Sequence, residues 1–124
     1  MEALVSHARE EAPNECCGML AVDDGSAVSA FPVTNIHASP LRYEMDPREM
    51  YDTLRAIEES GLELGATYHS HTRSAPVPSQ TDVNLSKLWP ETPLVIVGLA
   101  GREPEVRAWQ VEDGAPVELA LDVG

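Results

Sequence analysis

The sequence predicts an α/β domain built on a mixed β-sheet. Three observations carry this. The element order runs helix, β-hairpin, helix, strand, short helix and then three strands. Two segments show helical spacing of apolar residues, the second opened by the strong start signal Asp46-Pro47-Arg48-Glu49. Residues 94–99 form a nearly continuous apolar run, as expected of a central strand covered on both faces.

Residues 2–11 read as a helix, with Leu4, Ala8 and Ala12 at i, i+4 and i+8 as its apolar stripe, and Pro13-Asn14 ends it. Residues 16–22 read as a strand, and Asp23-Asp24-Gly25 turns the chain into a second strand over 26–33. In the next helix Asp46 is the N-cap, Pro47 occupies the first turn and Glu49 closes a capping box. Met50, Leu54 and Ile57 supply its buried stripe, and Gly61 stops it. Residues 63–69 read as a strand. Residues 72–78, with two prolines, read as an irregular loop. Ser79 caps a short helix to about Leu88. After the apolar strand, residues 106–111 and 117–121 read as further strands, turning at Asp113-Gly114.

The 124 residues suit one domain, 1–124, and no internal repeat or linker divides them. A hydrophobic content of 43% fills a core, but aromatics are only 5%, so Val, Leu, Ile, Ala and Met must form it. With 21 acidic against 8 basic residues the net charge is −13, which disfavours nucleic acid and anionic membrane surfaces as partners. No apolar run approaches the roughly 20 residues of a membrane span, and Met1-Glu2-Ala3 lacks the basic start of a signal peptide. The expectation is a soluble, cytoplasmic protein. Cys16 and Cys17 are adjacent, where a disulfide is strained, and no CxxC pair offers a thiolate zinc site. Both read as packing residues on a strand.

The chemistry concentrates between His69-Ser70-His71 and Ser79-Gln80-Thr81-Asp82. Residues two apart on a strand share a face, so His69 and His71 present their imidazoles together as a half-site for Zn²⁺. The intervening loop is long enough to fold back and bring Asp82 in as a third ligand from the first turn of the next helix. Three protein ligands leave a fourth position open, the mark of a catalytic zinc, and such a metal lowers the pKa of bound water to roughly 7. The reaction also needs an acidic residue near the metal to carry a proton. Glu15, opening the first strand after a helix break, is a candidate that spacing does not single out from the other acids.

Glu15, His69-Ser70-His71, seven residues, Ser79, two residues and Asp82 match the E…HxH-x7-S-x2-D signature of the JAMM (JAB1/MPN/Mov34, MPN+) metalloprotease family. Asn14-Glu15-Cys16-Cys17-Gly18 is similar to that family's N-E-x-C-G segment, and Tyr43 through Glu49 to its approach to the second helix. The resemblance extends from about Leu4 to Val111. It implies one Zn²⁺ held by His69, His71 and Asp82, Glu15 as general base and then acid, and Ser79 as hydrogen-bond donor to the oxyanion. It implies a cytidine-deaminase-like α/β sandwich with a mixed, curved sheet flanked by helices. The deaminase zinc signature is absent, which disfavours deamination.

Thr72 stands where most members have proline. It resembles the bacterial branch whose members release cysteine from the C-terminus of a small ubiquitin-like sulfur carrier protein. That implies the carrier as substrate partner and a role in cysteine biosynthesis, with a homodimer left open. The alternatives are a ubiquitin-like deconjugase acting on lysine isopeptide bonds, a C-terminal processing protease, or a non-catalytic MPN scaffold. The intact ligand frame argues against the scaffold.

Simpler roles exist for several residues. Ser79-x-x-Asp82 alone is explained by helix capping, which leaves the histidines unexplained. His7 and His37 read as solvated or locally bonded. Ser70 points to the opposite face from the histidines, for packing or hydrogen bonding. Trp89 and Trp109 read as core or edge residues, Arg73 as a solvated loop residue, and Glu10-Glu11 and Glu58-Glu59 as solvated helix faces.

Overall fold

The chain is described over residues 2–120 from a computed structural model. The N-terminal periodicity gives α1 (Glu2–Glu11), whose buried residues are Leu4 and Ala8. Ala12 does not extend that stripe; it is exposed in the turn beyond the helix, because a residue preceding proline is driven out of the helical region. β1 (Cys17–Asp23) and β2 (Ser26–Val33) form the expected hairpin. Asp24 and Gly25 both adopt positive φ, 53° and 84°, the two-residue turn whose twist suits a hairpin.

α2 (Pro47–Glu59) begins at Asp46, whose carboxylate accepts from the backbone N–H of Arg48 at 2.9 Å and of Glu49 at 3.0 Å. The expected capping box does not close. Glu49 Oε1 accepts from Thr34 N–H at 3.1 Å, and the N–H of Asp46 donates to Thr34 O at 3.0 Å. The exit of β2 thus supplies both groups with partners that sequence-local reasoning cannot see. Ile57 is buried, with Met50 and Leu54 half-buried beside it.

β3 (Glu63–His71) runs two residues further than its pattern suggests and includes both histidines. α3 (Gln80–Leu85) and one 3-10 turn (Ser86–Leu88) follow the loop, then β4 (Leu94–Gly98), β5 (Glu105–Glu112) and β6 (Ala115–Leu119). β5 and β6 join through Asp113 and Gly114, again both at positive φ. The expected extension of β6 to Leu121 lies outside the described residues.

Among the described residues six strands form one mixed sheet in the order β2-β1-β3-β4-β5-β6, in which only β3 and β4 are parallel. Alternation along β3 decides the site. Ala66 and Tyr68 pack on one face with Leu4 and Ala8 of α1 and with Val95 and Val97 of β4. Thr67 and His69 share the other face with their cross-strand partners Met19 and Cys17, which belong to the core beneath α2 with Val33, Tyr43 and Ile57. The histidines therefore emerge on the α2 side, at the C-terminal ends of the parallel pair, a recurrent place for sites in such sheets.

Candidate metal centre

His69 Nε2 and His71 Nε2 lie 3.2 Å apart, and Asp82 Oδ2 lies 3.1 Å from the first and 2.9 Å from the second. All three side chains are buried. Glu15, 5% exposed, completes the cluster: its carboxylate and the two imidazoles bring ligand atoms within 4.8 Å of one another.

The donor set decides what this cluster accommodates. His71 Nδ1 is 2.8 Å from Ala75 O, and a carbonyl oxygen only accepts, so Nδ1 carries the proton. Nε2 is then the nitrogen that faces the cluster, and Asp82 beside it draws a proton onto this ring, raising His71 against the effect of burial. His69 Nε2, His71 Nε2 and Asp82 Oδ2 converge within 3.2 Å of one another, a gathering of donor atoms that a cation would share in place of a proton. Two imidazoles and a carboxylate suit zinc by ligand type, and leave a coordination position for water or substrate.

The surrounding chain holds this arrangement from several directions. Ser79 Oγ accepts from Asp82 N–H at 3.1 Å while Ser79 N–H donates to Asp82 Oδ2 at 3.0 Å, a capping box that fixes the carboxylate at the start of α3. In the loop between the ligands, the Thr72 hydroxyl donates to Pro13 O at 3.1 Å and Trp109 Nε1–H donates to Pro76 O at 3.0 Å. Pro76 lies over Gly98 so closely that a Cβ there would sit 2.7 Å from its Cδ, so glycine at the end of β4 lets the loop close down.

Electrostatics separates the two carboxylates. Burial alone would push Asp82 up, but the two imidazoles and the Ser79 N–H outweigh it and hold this carboxyl well below the usual range. Burial pushes Glu15 up to about 7, with His71 opposing and Asp82 adding to the shift. Its Oε1 is buried without a hydrogen-bond partner among the described residues. Burial lowers His69, favouring the neutral imidazole that binds metals. One carboxylate is thus held ionised by its neighbours while the other is poised near neutrality, a pattern that suits a ligand and a proton carrier.

Residues 1–112 match the family described as prokaryotic homologs of the JAB domain. The chain belongs to that family. JAB-domain relatives include a desampylase of Haloferax volcanii, 42% identical over 128 residues and covering 98% of this chain and 91% of its own. A CysO-cysteine peptidase of Mycobacterium tuberculosis is 37% identical, covering 99% of this chain and 86% of its own. A probable TtuB-protein conjugate cleaving protease of Thermus thermophilus is 35% identical, covering 98% and 78%. Among solved structures, a Desulfitobacterium hafniense protein superposes with a TM-score of 0.82 at 28% identity, covering 96% of this chain and 84% of its own. A JAB1/MPN domain protein from Archaeoglobus fulgidus superposes with a TM-score of 0.62 at 19% identity, covering 95% and 89%, and shares the fold. The chain is a JAB-type hydrolase of the peptidase class, and JAB proteins are in general zinc-dependent.

The residues singled out from the sequence come together in this JAB domain: Glu15, His69, His71 and Asp82 form one buried cluster, with Ser79 exposed at its rim. Ser70 faces away and its Oγ accepts from Cys16 N–H at 2.8 Å. Cys16 and Cys17 are buried, unbridged thiols. His7 has a local partner in Glu11, 3.9 Å away one turn on, and its Nδ1 also meets the Tyr68 hydroxyl at 2.8 Å across the α1 face. His37 is locally bonded to Glu44 at 3.2 Å. Trp109 is a core residue that also anchors the ligand loop. Trp89, half-buried, walls an apolar cavity of about 170 Å³ with Tyr43, Met45 and Leu85.

Two residues that spacing did not mark support the site. Tyr43 stacks on His69. Asn35 donates to Glu15 O at 3.0 Å and to Arg42 O at 3.1 Å, and accepts from the N–H groups of His37 and Glu44, each at 3.1 Å. Nothing periodic marks either residue, because their partners lie across the fold.

Proposed function

We propose that residues 1–124 act as a single zinc hydrolase unit in the cytoplasm that cleaves the amide bond after the C-terminal glycine of a small ubiquitin-like sulfur carrier protein, releasing cysteine. The observation that carries it is the convergence of His69, His71 and Asp82 beside the unpartnered, neutrality-poised carboxyl of Glu15. The relative named CysO-cysteine peptidase, matched over nearly the whole chain, supports this substrate, as does Thr72 after the second histidine.

His69, His71 and Asp82 would hold one zinc, which when bound would polarise the scissile carbonyl and acidify water. Glu15 takes a proton from the attacking water on its free oxygen and delivers it to the departing amine of cysteine. Ser79 Oγ already accepts from Asp82 N–H, so its own proton is free to be donated to the oxyanion as the carbonyl carbon becomes tetrahedral. The departing α-amino group and the carrier's restored C-terminal carboxylate complete the hydrolysis.

A second reading, lysine isopeptide deconjugation, is favoured by the relatives named desampylase and TtuB-conjugate cleaving protease. Incubation of the zinc-loaded enzyme with a carrier–cysteine conjugate, a carrier–lysine isopeptide conjugate and a C-terminally extended carrier, read by mass spectrometry, separates the readings. The proposal expects fastest release of free cysteine and loss of at least about 100-fold in Glu15→Ala. Preference for the isopeptide would transfer the assignment to deconjugation. Undiminished turnover in Glu15→Ala would remove Glu15 from the chemistry.

A further inference from the structure

The two histidines of the centre are held differently. Metal-bound histidines almost always donate their second ring N–H to an oxygen, which fixes the ring's orientation. His71 obeys, through Nδ1–H to Ala75 O at 2.8 Å. His69 does not. It is fully buried and its Nδ1 has no hydrogen-bond partner among the described residues. Rotation about an imidazole's Cβ–Cγ bond is a soft torsion, so with Nδ1 unbonded the ring is oriented by its Nε2 contacts and by what packs against its faces. Tyr43 lies against it, ring centroids 4.2 Å apart and planes within 18°.

The placement of Tyr43 is itself fixed from the backbone. Asn35 Nδ2 donates to Arg42 O and Asn35 Oδ1 accepts from Glu44 N–H, clamping the residues on either side of Tyr43. The same amide nitrogen donates to Glu15 O, and Asn35 forms an isolated bridge with Met45. Three of the four hydrogen-bonding positions of this half-buried amide therefore tie the Tyr43 segment to the segment carrying Glu15, and the fourth accepts from His37 N–H within its own loop.

From this we infer that Tyr43 is a positioning residue of the metal centre, whose ring face orients His69 in place of the missing hydrogen bond. The inference rests on the reading of His69 as a zinc ligand. An electron-rich phenol face also complements an imidazole that gives up electron density to a cation, so the stack suits the loaded site. The hydroxyl has no part in this; the ring face does.

The test is zinc affinity, measured by competition with a chromophoric chelator, together with the ligand-field spectrum of the cobalt-substituted protein. Wild type is compared with Tyr43→Phe, which keeps the ring, and Tyr43→Met, which keeps apolar volume without it. Tyr43→Phe is expected to bind within about twofold of wild type with an unchanged cobalt spectrum. Tyr43→Met is expected to lose at least about tenfold in affinity, with a shifted spectrum and retained circular dichroism. Equal affinity in folded Tyr43→Met, or an equal loss in Tyr43→Phe, would overturn the inference. Should Tyr43→Met not fold, the wild-type zinc protein still decides by NMR. The His69 Nδ1 proton, lying unbonded against an aromatic face, should resonate upfield of that of His71; two equally downfield, hydrogen-bonded signals would overturn it. Failure of the wild type itself to bind zinc would refute the metal-centre reading and is distinct from all these outcomes.

Discussion

Glu15 carries the clearest conflict between stability and use at the level of single residues. A buried carboxylate oxygen without a partner costs free energy whenever the group is ionised. Its folded pKa is raised from 4.5 to about 7, so the folded form holds its proton more tightly than the unfolded chain. The stabilising contribution of that proton is complete below about pH 4.5 and is lost as the pH rises through about 7. Glutamine is neutral throughout. In EDTA-treated protein, Glu15→Gln should therefore melt about 3 °C or more above wild type at pH 8, the gap closing toward pH 5, while hydrolysis is lost. Differential scanning calorimetry at both pH values checks this, and an equal or lower melting point at pH 8 would contradict it. The other half of the pair, Asp82, is held ionised by two imidazoles and by a backbone N–H, so its charge is stabilised where that of Glu15 is not.

At the scale of elements, α3 shows capping and chemistry resting on one side chain. The Ser79-x-x-Asp82 capping box forms as its spacing indicates, and closing it is also what turns Asp82 toward His69 and His71. Ser79→Ala should lose about 1 kcal/mol of stability from the cap and roughly 100-fold in kcat from the missing oxyanion donor, with KM little changed. Ser79→Asp restores a cap but has no proton to donate, so it should recover melting temperature without recovering kcat. Steady-state kinetics beside thermal melts separate the two roles; parallel recovery of both would show that Ser79 acts through α3 alone. The capping box expected at α2 fails where that at α3 succeeds. The end of β2 competes for the Glu49 carboxylate and for the Asp46 N–H, whereas Ser79 and Asp82 answer to each other and to the histidines.

Across the whole molecule the excess of acid remains after the site is accounted for. Glu15 and Asp82 are two of 21 acidic residues, and Arg48, Arg55 and Arg107 are occupied in pairs with Asp52, Glu59 and Glu118. A surface of this sign favours a carrier with basic residues near its C-terminal tail. Stopped-flow association with the carrier conjugate should slow roughly tenfold between low salt and about 0.5 M, as screening shortens the reach of the field. A rate indifferent to salt would remove electrostatic steering from recognition. The order of elements, both Asp-Gly hairpins, the shared face of His69 and His71 and the Ser79-x-x-Asp82 cap were legible in the sequence, because each depends on alternation, helical spacing or turn chemistry within a few residues. A role for Ser79 in the chemistry came only from the family resemblance. Glu15 was legible only through its resemblance to a known segment, since one acid among 21 carries no spacing signal. The Asn35 clamp, the stacking of Tyr43 on His69 and the Trp109 anchor were not legible as parts of the site, although Tyr43 stood in a segment resembling the family's and Trp109 read as a core or edge residue. Their partners lie on other strands and loops, and those distances exist only once the mixed sheet has brought β1, β3 and the β2–α2 connection against one another.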